Sequence, residues 1–248
     1  MIKPAIVQPE DEVTAVGKVF TTPLVVKGNT WFPLAQLITW PIMAWVAQKR
    51  RPDRSWLQSL GVGALTMPVV LGSEWCHNLA HAAAARAINK PMDAIRIIGG
   101  MPLLVYYDVN DETVTPKQHI IRSLGGPVFN ILVLPIAWLF RQRTDPESVS
   151  RDIANTAVAT NTFLPAVGLL PIPGIDGGPI LKWSLVEKGY TQPEADLTVR
   201  KVDGILGTLL LAAGIVSLKK RRWLIGGLLL QLAAYALSIA LGFLREQE

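Results

Sequence analysis

The sequence WCHNLAHA at residues 75–82 places two histidines inside a long apolar run that extends from Trp56 to about Ile88. His77 and His81 are four residues apart, so on an α-helix they share one face, about one turn apart. Two imidazoles in this arrangement can bind one metal ion from the same side, as in the His-Glu-x-x-His zinc signature. Ionisable groups inside a membrane span are costly and usually functional, which favours a metal site over a pair of buried, hydrogen-bonded histidines.

The composition around this stretch indicates a bundle of helices in a membrane. The 248 residues are 50% hydrophobic and 17% charged, whereas soluble domains carry about 25% charged residues. Mean hydropathy is +0.33. This composition excludes a disordered chain, a coiled coil and a nucleic-acid-binding arm. The net charge of +5 comes from basic residues beside apolar runs, where they set membrane topology. Nucleic acid is therefore not an expected partner, and the lone Cys76 cannot form an internal disulfide.

Six apolar runs bounded by charged or turn-forming residues are predicted as membrane spans, since about 20 apolar residues cross a bilayer. They cover residues 31–47, 56–88, 125–140, 153–172, 202–218 and 223–244. Thr115 and Pro116 predict the start of the helix that carries the third run, because threonine caps helices and proline suits the first helical position. Only residues 219–222 separate the last two runs, which predicts a tight helical hairpin. The predicted fold class is an all-α polytopic membrane protein with about six transmembrane helices.

Two stretches do not resemble membrane spans. Residues 94–109 contain β-branched and aromatic residues around a glycine pair and predict a short β-hairpin or a pair of strands at the membrane surface. Residues 182–200 predict an amphipathic helix, a break near Gly189 and Pro193, and a second helix. The chain then divides into an N-terminal segment (1–30), a first span with its basic loop (31–55), a metal-site core (56–178), an amphipathic interfacial segment (179–201) and a C-terminal helical hairpin (202–248).

A catalytic zinc site needs a third protein ligand beside the two histidines. Asp176, in the sequence Gly-Ile-Asp-Gly-Gly at residues 174–178, is the acidic residue in a comparably buried, helix-breaking context. Alone, it would be interpreted as a turn aspartate, because Asp-Gly is a common turn dipeptide. Together with the histidines, it becomes the natural third ligand. His119 is a weaker candidate, since it sits just inside a helix start and is expected at the interface.

Three segments in the middle half of the chain resemble the site-2 proteases, which are intramembrane zinc metalloproteases. Residues 75–82 look like the family's His-Glu-x-x-His helix, although here the motif reads His-Asn-Leu-Ala-His. Residues 115–130 run from Thr-Pro to Gly-Gly-Pro-Val-Phe-Asn and resemble the family's Ser-Pro and Ala-Gly-Pro-x-x-Asn segment. Residues 169–178, LLPIPGIDGG, resemble the family's Leu-Leu-Pro-x-Pro-x-Leu-Asp-Gly-Gly ending. All three occur in the family's order at plausible spacing.

The resemblance implies a site-2-protease-like core of three helices with a short membrane-associated β segment at residues 94–109. It implies that His77, His81 and Asp176 hold Zn²⁺ within the membrane. It also implies an integral membrane protein of a bacterial or archaeal cell membrane.

The distribution of basic residues and the resemblance to the site-2 proteases predict opposite orientations of the chain in the membrane. The loops at residues 49–54, 141–151 and 219–222 are densest in basic residues, and the positive-inside rule would place them in the cytoplasm. The family instead keeps the loop after the metal helix on the cytoplasmic side, and we follow the family.

The position directly after the first histidine holds Asn78, where the family has the glutamate that acts as general base. An amide cannot take a proton near neutral pH, and general acid–base help is typically worth about 10²–10⁴-fold in rate. Zinc would still lower the pKa of its bound water and polarise a carbonyl. Glu74 is the possible substitute, but it lies about one turn toward the N-terminus, and helical side chains lean further that way. The favoured role for Glu74 is to support a zinc-binding histidine from behind by a hydrogen bond. The alternative is an acid that lies near a polar cavity or pairs with a basic residue.

Five further residues are candidates for substrate binding. The family usually has an asparagine at the position of Gly168, where it is thought to hold the extended substrate, so substrate capture is also weakened. Asn161 or Asn130 could supply an amide instead, although interhelical packing is an equal alternative. Gly177 and Gly178 lie beside Asp176 in the segment expected to receive a partner.

Three functions are compatible with these residues. The first is a pseudoprotease that keeps the zinc site and binds a single-span membrane protein or peptide. The second is an active hydrolase that cleaves a membrane-anchored regulator with Glu74 or water as proton carrier. The third is a transport or metal-handling protein, which the scarcity of other intramembrane acids disfavours.

Overall fold

The computed structural model describes residues 9–244, so the ends of the predicted N-terminal segment and C-terminal hairpin lie outside the described residues. Its helices are α1 (Leu34–Arg50), α2 (Trp56–Ala87), α3 (Pro116–Arg143), α4 (Val149–Gly168), α5 (Gly177–Glu187), α6 (Gln192–Lys219) and α7 (Trp223–Ala240). Four of them, α2, α3, α6 and α7, are long and apolar enough to cross a membrane. The predicted fold class is confirmed: the protein is mostly helical and carries a small sheet. The helices α1 and α4 coincide with the other two predicted runs.

The sheet has four strands in the order β1 (Thr14–Val19), β2 (Thr22–Val26), β3 (Ala94–Ile98) and β4 (Met101–Val105). Strands β2 and β3 pair in parallel, and the other neighbours are antiparallel. The hairpin of β3 and β4 is the one that the sequence predicts, and Gly99 and Gly100 form its turn with φ of 60° and 81°. These positive angles favour glycine, which carries no Cβ.

The hairpin of β1 and β2 was not predicted. Its turn consists of Phe20 and Thr21, which both adopt positive φ (49° and 77°). Two-residue hairpin turns of this kind usually carry Asn-Gly or Asp-Gly, so the sequence lacks the usual turn signal.

Capping boxes fix where three of the helices begin. The hydroxyls of Ser55, Thr115 and Thr191 accept hydrogen bonds from the backbone N–H groups three residues later. Each residue three positions on, a Gln or Glu, accepts in return from the backbone of the capping residue, which is the reciprocal pattern of a capping box. The predicted start of α3 is thereby confirmed. The predicted break near Gly189 separates α5 from α6, and α6 then continues through the domain boundary placed at residues 201 and 202.

The predicted tight hairpin at residues 219–222 joins α6 to α7. Three glycines allow the two helices to approach closely. A Cβ at Gly207 would lie 2.8 Å from Leu237, and one at Gly214 would lie 2.8 Å from Leu230. A Cβ at Gly226 would lie 2.5 Å from Leu218. Small residues at such positions are typical of helices packed in a membrane.

The described residues form two compact units. Among the described residues, the amino-terminal unit contains residues 9–107 and Leu124–Val167. The carboxy-terminal unit contains Asp108–Ser123 and residues 168–244.

In the amino-terminal unit, α1 packs on α2 at Gly63. A Cβ at Gly63 would lie 2.6 Å from the backbone nitrogen of Ala44 and 2.9 Å from its Cβ. These atoms are the backbone and the Cβ of α1, which cannot rotate out of the way. Gly63→Ala must therefore push the two helices apart. We expect a loss of about 1–3 kcal/mol in the free energy of unfolding, measured by thermal unfolding in detergent. Gly61→Ala is the matched control, since a Cβ there meets nothing within 4 Å. Equal melting temperatures for the two variants would contradict this packing.

Candidate metal centre

The two histidines of α2 lie on one face, as their spacing predicts. The side chains are buried, with His77 7% and His81 2% exposed, and their Nε2 atoms are 3.1 Å apart. Two nitrogens bound to one tetrahedral zinc ion at about 2.0–2.1 Å would be about 3.3 Å apart. The pair is therefore spaced as two ligands of one ion. The same distance also suits a hydrogen bond between the rings, which is the structural alternative.

A glycine of α3 keeps the space in front of the histidine pair open. A Cβ on Gly126 would collide with the Nε2 atoms of both His77 and His81 and would lie 2.5 Å from Cε1 of His77. A methyl group on Gly126 would thus be equally far from the Nε2 atoms of the two histidines. Gly125, by contrast, permits close helix approach, since its Cβ would lie 2.8 Å from Cα of His81.

Asp176 directly precedes α5, where a turn aspartate would cap the helix. Its side chain makes no capping hydrogen bond, and its backbone is helical (φ −53°, ψ −36°). His77 and His81 belong to the amino-terminal unit, and Asp176 belongs to the carboxy-terminal unit. Two nitrogens and a carboxylate oxygen are ligands that suit zinc. By residue type, His77, His81 and Asp176 could therefore hold a metal ion, and among the described residues they are the only such group of histidine, cysteine, aspartate and glutamate side chains.

The two glycines after Asp176 pack against the chain that precedes it. A Cβ on Gly177 would collide with Leu170 and Leu169, and one on Gly178 would collide with the carbonyl of Ile172 and lie 2.6 Å from the nitrogen of Pro173. Their small size is needed for this close turn. Gly168, the other glycine predicted to face substrate, is the buried last residue of α4.

Asn130 and Asn161 are fully buried, at 0% and 1% exposure. The Oδ1 atom of Asn130 lies 2.5 Å from Nδ1 of His77, and its Nδ2 donates to Oδ1 of Asn161 at 2.8 Å. Asn130 thus touches a candidate metal ligand on the side away from Nε2. Sequence reasoning missed this contact and the role of Gly126, because both depend on which face of α3 meets α2.

Asn78 and Glu74 contact each other directly. The amide nitrogen of Asn78 donates to Oε1 of Glu74 at 3.0 Å and to the backbone carbonyl of Glu74 at 2.9 Å. The expectation that Glu74 lies one turn away is correct for the backbone, but the Asn78 side chain bends back to meet it. The Glu74 carboxylate does not belong to the group of ligand atoms around the histidines.

His119 lies in the carboxy-terminal unit, outside the candidate metal group. Its ring stacks on Trp183 with centroids 3.7 Å apart and planes 3° from parallel. Arg122 donates to its Nδ1 at 2.7 Å. These contacts give His119 a packing role.

The arrangement of the helices and the sheet is similar to the site-2 protease fold. No protein-family model and no curated protein matches the chain in sequence. The structure is similar to that of the solved site-2 protease from Methanocaldococcus jannaschii, with a TM-score of 0.50 and 14% identity. The match covers 96% of this chain and 97% of that chain. The fold that the sequence resemblance implies is therefore confirmed. With the four apolar helices, it indicates an integral membrane protein.

Proposed function

We propose that this protein binds Zn²⁺ through His77, His81 and Asp176 and that its proteolytic activity is lost or strongly impaired. The observation that carries the zinc site is the histidine pair, with Nε2 atoms 3.1 Å apart facing a space that Gly126 keeps open. When bound, zinc would lower the pKa of a water ligand and polarise a carbonyl group.

Impaired proteolysis is inferred from the chemistry of Asn78. Its amide nitrogen already donates to the carboxylate and the carbonyl of Glu74, which leaves Oδ1 as the atom able to face a reactant. An amide oxygen accepts a hydrogen bond but does not take up a proton near neutral pH. Asn78 can therefore orient water, but it cannot carry a proton to the leaving amine.

As a pseudoprotease, the protein would bind a single-span membrane protein or peptide and regulate it without cleavage. The candidate contact segments are the β3–β4 hairpin and residues 176–179. Strand β4 is the last strand of the sheet order, and an edge strand can pair with an extended peptide through its backbone. The partner would therefore be a membrane-embedded segment whose backbone can adopt an extended conformation over a few residues.

An active intramembrane hydrolase is the second candidate, and one contact favours it. Oε1 of Glu74 is held 3.0 Å from the Asn78 amide, which occupies the position of the family's base. A carboxylate so close could exchange protons with a reactant through one intervening water. In that case Glu74 would be the catalytic base and Asn78 would position it.

The test is to purify the full chain in detergent, measure bound metal by elemental analysis, and assay cleavage of a model single-span substrate. We expect about one zinc per chain in the wild type, none in His77→Ala, and no cleavage by either. His119→Ala is the matched control and should retain zinc, because His119 lies outside the candidate metal group. A wild type without metal would show that the histidines are a hydrogen-bonded pair. Metal-dependent cleavage by the wild type would refute the pseudoprotease.

A further inference from the structure

A chain of buried amides connects three helices behind His77. It runs from α4 through Asn161, crosses to Asn130 on α3, and ends at Nδ1 of His77 on α2. All of these residues belong to the amino-terminal unit. The amides lie on the opposite side of the His77 ring from the Nε2 atom that faces His81.

Each hydrogen bond in this chain has a fixed direction. Nδ2 of Asn161 donates to the backbone carbonyl of Ala157 at 2.9 Å, and a carbonyl can only accept. Oδ1 of Asn161 therefore accepts from Nδ2 of Asn130 at 2.8 Å. This leaves Oδ1 of Asn130 to face His77. Turning either amide over would set two donors or two acceptors against each other, and buried polar groups without a partner are costly.

The direction of the chain determines which nitrogen of His77 carries the proton. Because Oδ1 of Asn130 is an acceptor, Nδ1 of His77 must be the donor across their 2.5 Å contact. A neutral imidazole carries one proton, so Nε2 of His77 keeps its lone pair. That lone pair is what a metal ion binds.

We propose that Asn130 is a positioning residue that holds His77 in the Nδ1–H tautomer, and that Asn161 holds Asn130 in the required orientation. This proposal rests on the proposed zinc site and deepens it. It is an alternative to the prediction that these asparagines bind substrate, since Oδ1 and Nδ2 of Asn130 each contact a buried side chain of the protein. A hydrogen-bonded partner behind a ligating histidine is a general means of fixing its orientation and basicity.

Zinc affinity is the first measurement, made by chelator competition on the full chain in detergent. Asn130→Ala should raise the zinc Kd by about 10–100-fold. Asn161→Ala should raise it less, because Asn130 remains but loses its support. Asn130→Asp should raise the Kd less than Asn130→Ala does, since one carboxylate oxygen still accepts from Nδ1–H, although the other then faces the acceptor Oδ1 of Asn161. Asn155→Ala is the matched control: Asn155 also links α4 to α3, by accepting from Nε of Arg141 at 2.7 Å, and its loss should leave the Kd unchanged.

The tautomer itself is the second measurement, and it needs no metal. The chain has only three histidines, so ¹⁵N-histidine labelling gives few signals, and His119→Ala and His81→Ala assign them. Metal-free wild type at a pH where the rings are neutral should show His77 as Nδ1–H, and Asn130→Ala should show a mixture of tautomers.

The two readouts separate the possible failures. An unchanged tautomer and Kd in Asn130→Ala would overturn the positioning role, and so would equal loss in Asn130→Ala and Asn155→Ala. A fixed Nδ1–H tautomer that Asn130→Ala releases, in a protein that binds no zinc, would support the positioning role and refute the proposed function.

Discussion

Gly126→Ala is expected to abolish metal binding. The added methyl would lie in contact with Nε2 of both His77 and His81, in the space that a shared ion would occupy. The two rings are buried, so they cannot turn aside without losing the arrangement that makes them a ligand pair. Elemental analysis of the purified variant should give no zinc, and chelator competition should show at least the 10–100-fold weakening expected for damage beside a metal site.

The controls for Gly126→Ala distinguish two causes of zinc loss: a methyl group that fills the metal-binding space, and a general disturbance of helix packing. Gly72→Ala changes another glycine of the same unit where a Cβ meets nothing within 4 Å, and it should keep its zinc. Size-exclusion chromatography and thermal unfolding show whether Gly126→Ala remains folded. A folded Gly126→Ala variant that binds zinc with wild-type affinity would mean that the ion does not lie in front of the histidine pair.

The candidate ligand residues could be predicted from the sequence because a local pattern marks each of them. His77 and His81 follow from the helical period, since residues four apart share a face. Asp176 was proposed because it follows a helix-breaking run in an otherwise apolar chain. The β3–β4 turn was predicted from adjacent glycines, and both adopt the expected positive φ.

Other features depend on contacts between distant segments, which no local pattern encodes. Gly126 is next to Gly125 in sequence, yet one faces the histidine rings and the other the backbone of α2. The rotation of α3 about its axis determines this difference. The orientation of Asn130 depends on the Ala157 carbonyl that anchors Asn161 on α4. The β1–β2 hairpin was missed because its turn uses Phe20 and Thr21.

Asn78→Glu is expected to produce proteolysis where the wild type shows none. A glutamate directly after the first histidine restores a group that can take and return a proton, and such a base is worth about 10²–10⁴-fold in rate. The introduced carboxylate cannot donate to Glu74 as the Asn78 amide does, and repulsion between the two carboxylates would turn the new side chain away from Glu74. The gain should appear in kcat, measured with a model single-span substrate in detergent or vesicles. The KM of the variant should be high, because Gly168 provides no side-chain amide to bind substrate.

Three comparisons decide whether the new activity comes from a base at position 78. Asn78→Gln has the length of glutamate without its basicity and should stay inactive. Asn78→Glu combined with Glu74→Gln removes the carboxylate repulsion and should retain or increase the activity. Asn78→Glu with His77→Ala should be inactive, since one metal ligand is lost. If the wild type already cleaves and Glu74→Ala stops it, Glu74 is the base, and Asn78 serves to hold it rather than marking a lost activity.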